Sequence, residues 1–279
     1  MQIEKLLKQP NALPSAPKVV RQLIDTFDQE EVDMVRVAGL IEEDPVLTAK
    51  LLKMANSAFF GLTRSVTNAR EALNVMGLMK VRALVIAASL GEGFHCVGGV
   101  NLNQFWRYSL NTANLARYLA LPIRIDENTA FTAGLIHCVG ELVMHVGMPE
   151  AMIDLDRSVP MLDLKRARAE KGLFGYHYAD VGAALAREWR FPKRMIQAIE
   201  HQVAPFDNDI YEPIAGVIHI ASWRARAQEL DLRSELLINT YPDPVGLALG
   251  IDPDVVIGEN IPALTRENEA EPEPASVTA

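Results

Sequence analysis

Apolar side chains recur at steps of three and four along almost the whole chain. Val19, Val20, Leu23, Ile24 and Phe27 do so, and then Met34, Val37, Ala38 and Ile41, the spacing of a buried helix face. Ser15 as N-cap and Pro17 in the first turn mark the start of the earlier helix. Asp44-Pro45 repeats that signal, because proline is harmless where the helix has no N–H to offer. Val46, Leu47, Ala49, Leu51, Leu52, Met54 and Ala55 then cover a wide face, and Asn56-Ser57 ends the helix. Leu78 to Leu90 is apolar on nearly all sides, broken only by Lys80, Arg82 and Ser89, which predicts a helix at the centre of a bundle. Gly77 stops the helix before it, and Gly91 and Gly93 stop this one. Nothing alternates at period two for five residues; Gly61 to Asn68 holds a turn or one short extended piece at most. The pattern predicts an all-α protein.

Punctuation divides the chain. Residues 1–12 read as a lead-in helix and 13–93 as a first helical unit. Phe94 to Val100, with its paired glycines, reads as a linker. A second unit over 101–225 opens with a long helix carrying Phe105, Trp106, Leu110, Ala113, Leu115 and Leu119. Asp126 caps the next, which carries Ala133, Ile136, His137, Gly140 and Val143 or Met144. Later helices start near Tyr178, Pro192, Pro213 and Asp231, and residues 226–265 form a helical extension. Residues 266–279 (RENEAEPEPASVTA) carry four Glu, two Pro and little apolar content, the composition of a disordered acidic tail.

Charge and cysteine content narrow the function classes. Lys plus Arg is 27 against 36 Asp plus Glu, a net charge of −9, which argues against a nucleic-acid partner because phosphate backbones are repelled. Lys165, Arg166, Arg168 and Lys171 form the dense basic cluster, read as one solvated helix face. No apolar run reaches the ~20 residues of a membrane helix, and residues 1–10 lack a signal-peptide core. Two cysteines, Cys96 and Cys138, make no disulfide framework. These features fit a reducing, cytoplasmic setting.

Six histidines carry the candidate chemistry: His95, His137, His145, His177, His201 and His219. His137, Glu141 and His145 are spaced to share one helix face. Yet His145 lies about 12 Å along the axis from His137, too far for a single ion. The plainer reading has His137 packed and hydrogen-bonded, with Glu141 and His145 on a polar face. Cys138 as a nucleophile is weighed against a small buried residue, and the latter is favoured. No phosphate-cradling glycine loop, nucleophile elbow or Cys-x-x-Cys pair is present.

Several segments, in order, carry a resemblance. They are LPSAP at Leu13–Pro17, IEEDPVLTAKLLKMANSAFFG at Ile41–Gly61, EALNVMGLMKVRALV at Glu71–Val85 and FWRYSL at Phe105–Leu110. AGLIHCVGELVM at Ala133–Met144, FGYHYADVGAALAREWRFP at Phe174–Pro192 and AIEHQVAP at Ala198–Pro205 complete them. Over roughly residues 10–225 the chain resembles the HDOD domain, a bacterial signalling module related to the HD and HD-GYP phosphohydrolases. The resemblance implies an N-terminal helical bundle packed on an HD-like helical core, and regulation rather than catalysis.

It also implies a degenerate pocket. The positions that hold metal in HD hydrolases correspond here to Tyr108, His137, Cys138, His177, His201 and Ser222, with Gln202 where a second histidine is common. No carboxylate ligand survives among them, and carboxylates are what bridge and neutralise paired metals. The expectation is therefore no catalytic residue, no metal and no cofactor, in a protein that acts by binding regulatory protein partners. Homo-oligomerisation stays open. A divergent metal-dependent phosphohydrolase, and a sensor holding a nucleotide or anion in the vacated pocket, are the alternatives. Phe59 and Phe60, just past a helix end and rimmed by Asn56, Thr63 and Arg64, are the candidate partner-binding turn. The competing reading has both rings capping the bundle core.

Overall fold

In the computed structural model, the structure describes residues 2–8, 32–43, 45–56, 64–78, 80–81, 84–85, 99–188, 191–206, 212–258 and 261. Phe59, Phe60, His95, Cys96, most of the linker and the acidic tail lie outside the described residues. All regular structure among the described residues is helical, as the period of three to four requires.

The first unit contains α1 to α4. Helix α1 is Ile3–Leu7, α2 is Met34–Glu42, α3 is Pro45–Ala55 and α4 is Ala69–Met76. Asp33 caps α2 by accepting from the Val35 and Arg36 amides. Asn68 caps α4 by accepting from Glu71 N, while Glu71 Oε2 reaches back to the Thr67 amide, a reciprocal arrangement that satisfies two otherwise orphaned donors. Asn56 ends α3 and clamps Val66: its amide donates to Val66 O at 2.8 Å and its Oδ1 accepts from Val66 N at 2.6 Å. Val37, Ile41, Leu47, Leu51, Leu73, Met76, Val81 and Val85 form the core of α2 to α4 and the segment after them. Helix α1 departs from this plan. Its Leu6 and Leu7 are buried in the second core instead.

The second core is built by α5 (Leu102–Ala120), α6 (Glu127–Ile136), α7 (Val139–Gly147), α8 (Pro149–Ser158), α9 (Arg166–Phe174), α10 (Tyr178–Glu188), α11 (Lys193–His201) and α12 (Pro213–Glu229). Three short helices follow: α13 (Ser234–Thr240), α14 (Asp243–Leu249) and α15 (Pro253–Ile257). They lay Leu237, Val245, Leu249 and Val256 on the same core. The division expected at residue 225 falls inside α12, which runs unbroken to Glu229. The start expected near Asp231 moves to Ser234, because Asp231 adopts a left-handed turn with φ 48°. The stretch Thr129–Gly147 is apolar and long enough to cross a membrane by composition, and 89% of it is buried inside the protein.

Three expectations are corrected. His137, Glu141 and His145 do not share one helix: α6 ends at Ile136, and His137-Cys138 form a turn before α7. Glu141 and His145 are not on a polar face, since both are buried at 2% exposure. The basic cluster is not wholly solvated, because Arg166 is completely buried while Lys165, Arg168 and Lys171 are exposed.

The last two corrections have one cause. Arg166 gathers the carboxylates of three helices: Glu141 on α7, Asp156 on α8 and Glu170 on its own α9. Its Nε donates to Glu170 at 2.8 Å and to Glu141 at 3.2 Å, and one terminal nitrogen donates to Asp156 at 2.7 Å. His145 Nε2 lies 2.9 Å from the other Asp156 oxygen. Buried charges are tolerated when paired and hydrogen-bonded in this way. Burial, and then the neighbouring Glu170, push the Glu141 carboxyl well above the usual range.

Candidate functional site

The candidate site lies where α5, the α6–α7 turn, α10, α11 and α12 meet. Gly140 makes that meeting close: a Cβ there would overlap the Tyr178 carbonyl, and Gly182 N would lie 2.7 Å from it. The α6–α7 turn and its His137 are thereby held against the start of α10. On the other side, Arg107 grips Glu229 with Nε and a terminal nitrogen, at 2.6 to 3.1 Å. That ion pair pins α5 to α12, next to the residues each helix sends inward.

His137 is fully buried. Its Nδ1 lies 2.7 Å from the Gly134 carbonyl, which can only accept, so Nδ1 carries the proton. Nε2 therefore presents its lone pair and accepts from the Tyr108 hydroxyl at 2.9 Å. Desolvation by burial lowers the His137 pKa to about 3, with the Arg226 charge adding to it against the Gly134 bond, so the ring is neutral. The rings of Tyr108 and His137 also meet edge to face.

A chain of contacts continues from the backbone of His137. Gln202 Nε2 donates to His137 O at 2.8 Å and to Ile199 O at 2.9 Å. His219 Nδ1 donates to Gln202 O at 2.7 Å, and the Ser222 hydroxyl donates to His219 O at 3.1 Å. Cys138 is buried with its Sγ 3.3 Å from Ser109 Oγ, and burial pushes its thiol up to about 12. A thiol with that environment is not a nucleophile at neutral pH.

Of the six residues expected at the pocket, Tyr108, His137, Cys138 and Ser222 are tied into this network. His177 is turned to its own helix start. Its Nδ1 accepts from Asp180 N at 3.3 Å, while Asp180 Oδ2 accepts from His177 N at 3.0 Å. His201 is half-buried at the end of α11.

One residue was not anticipated. Arg226, one turn beyond Ser222 on α12, lies over the rings of both Tyr108 and Tyr178, at 5.6 and 5.9 Å. It donates to the Tyr178 hydroxyl at 3.0 Å. No carboxylate lies within 4 Å of it among the described residues. Arg226 shares its helix with His219, Ser222 and Arg224 and lies beyond the segments that carry the resemblance.

The donor set does not fit the metal centre of an HD hydrolase. A metal at His137 would need the Nε2 lone pair that Tyr108 occupies, and bridging carboxylates that are not there. Arg226 brings a fixed positive charge to the same region. Among the described residues no three His, Cys, Asp or Glu side chains are arranged to hold a metal ion.

An uncharacterised protein of Treponema pallidum (strain Nichols) is 26% identical over 222 residues, covering 77% of this chain and 42% of its own. Cyclic di-GMP phosphodiesterase CdgJ of Vibrio cholerae is 24% identical over 208 residues, covering 74% of this chain and 45% of its own. The chain thus spans less than half the length of these curated relatives. The crystal structure of a candidate phosphohydrolase from Shewanella amazonensis SB2B superposes with a TM-score of 0.70 at 28% identity, covering 90% of this chain and 91% of that one. The HDOD domain matches residues 13–205, and the chain belongs to the HDOD domain family.

Proposed function

We propose that this chain is a non-catalytic HDOD signalling protein of the bacterial cytoplasm that acts by binding regulatory protein partners. The observation that carries this reading is the hydrogen bond from Tyr108 to His137 Nε2. It uses the electron pair that would hold a metal, and Arg226 stands beside it as a fixed cation. Without a metal to polarise phosphate and acidify water, hydrolysis of a phosphodiester has no means of starting here. What supports a regulatory role is the family and the loss of carboxylate ligands.

The names of the Vibrio and Shewanella proteins favour the competing reading, a divergent phosphohydrolase. Purified protein incubated with manganese, iron(II) or magnesium decides between them. The expected result is no turnover of cyclic di-GMP or of bis(p-nitrophenyl) phosphate above blank. Metal-dependent turnover that disappears in His137→Ala would establish the enzyme. For partner binding, Phe59→Ser and Phe60→Ser are compared in capture from the native cell. A variant that melts normally and captures nothing marks the docking turn.

A further inference from the structure

Arg226 is the one cation among the described residues of this network, and its bonding is incomplete. It is buried, with 9% of its surface exposed. Its Nε is buried with no hydrogen-bond partner among the described residues. Its partner Tyr178 accepts a hydrogen bond from it, and the phenol's own proton is directed to no acceptor among the described residues. Every other side chain in the pocket is neutral: Tyr108, His137, Cys138, Gln202 and Ser222.

The buried carboxylates Glu141 and Glu170 do not serve Arg226. Glu141 and Glu170 are both held by Arg166, and Glu170 also accepts from the Tyr178 amide at 2.7 Å. A buried charge with no counter-charge is costly. Two ring faces soften that cost, but they leave one N–H and one O–H with no acceptor among the described residues.

We propose that Arg226 and Tyr178 form a site for an oxyanion, a phosphate group either free or carried by a small ester. The anion accepts from Arg226 Nε and from the Tyr178 hydroxyl and neutralises the guanidinium. No covalent step is involved. This goes beyond the reading of a non-catalytic domain by giving the pocket a ligand class, and its test does not depend on a metal.

The test is calorimetric titration and thermal melting of the whole protein in EDTA, with inorganic phosphate and with adenosine monophosphate as probes. Sodium chloride at matched ionic strength is the control. Wild type is expected to bind at least one probe and to melt a few degrees higher, the gain rising with the logarithm of probe concentration. A response to phosphate identifies the free ion, and a response to the monophosphate alone identifies an ester. Arg226→Met is expected to melt at or above wild type without probe and to lose the response. Tyr178→Phe, which keeps the ring, is expected to weaken binding about fivefold. No response beyond chloride in wild type, or an unchanged response in Tyr178→Phe and Arg226→Met, overturns the site. Either result leaves the turnover assay, and hence the non-catalytic reading, unaffected.

Discussion

The Tyr108 hydroxyl and His137 Nε2 lie 2.9 Å apart, and the proton between them belongs to the tyrosine. The Gly134 carbonyl settles this by accepting a hydrogen bond from Nδ1–H on the opposite side of the ring. Each buried group in that line has its partner supplied by the next, so removing one leaves another unsatisfied.

Tyr108→Phe removes only the hydroxyl. It strands His137 Nε2 as a buried acceptor, which costs about 1–3 kcal/mol. Urea denaturation is expected to show a lower midpoint with unchanged slope. An unchanged midpoint would mean that the bond contributes nothing to stability.

His137 makes the fold acid-sensitive. Its folded pKa of about 3 lies far below the unfolded value of 6.5. Between those values the unfolded chain takes up a proton that the folded chain refuses. The stability from a neutral His137 is therefore fully present above pH 6.5 and is lost as pH falls. One such group removes about 2 kcal/mol between pH 7 and pH 5. His137→Gln, which cannot titrate, is expected to show a correspondingly flatter profile. Nitrogen-15 spectra of wild type should keep the neutral Nδ1–H tautomer at pH 5; an imidazolium signal there would contradict the burial argument.

Gly140→Ala forces a methyl group into the Tyr178 carbonyl. The neighbour is backbone and cannot swing aside, so α7 and α10 must separate. The expected loss is about 1–3 kcal/mol, measured by thermal melting. Gly172→Ala, where the added Cβ meets nothing within 4 Å, is the control and is expected to melt like wild type.

Arg166→Met leaves Glu141, Asp156 and Glu170 without their shared cation. Breaking a buried network from one side costs about 3–5 kcal/mol. The variant is expected to unfold at much lower denaturant, with the deficit shrinking in acid as the carboxylates protonate. A deficit independent of pH would assign Arg166 a packing role rather than an electrostatic one.

Helices were legible where their ends are chemically marked. Asp126 accepts from the Thr129 amide as its position before an apolar run suggests, and Pro213 opens α12. The break at His137-Cys138 was not legible. Apolar residues continue through it at helical spacing, and the turn falls beside the close approach of α10 to Gly140. The burial of Arg166, Glu141 and His145 was hidden for a related reason. Charge predicts solvent, and only the meeting of three helices supplies partners enough to overrule it. The pocket positions of Tyr108, His137, Cys138 and Ser222 came from the resemblance. Arg226 did not, because nothing in a one-dimensional pattern shows that its guanidinium ends between two phenols.

Lys80 belongs to the first unit, yet its ammonium lies 5.7 Å from the centre of the Phe131 ring on α6. Phe131 stands three residues before Gly134, whose carbonyl holds His137. Lys80 and the pocket imidazole thus reach the same turn of α6, one through the Phe131 ring and the other through the Gly134 carbonyl.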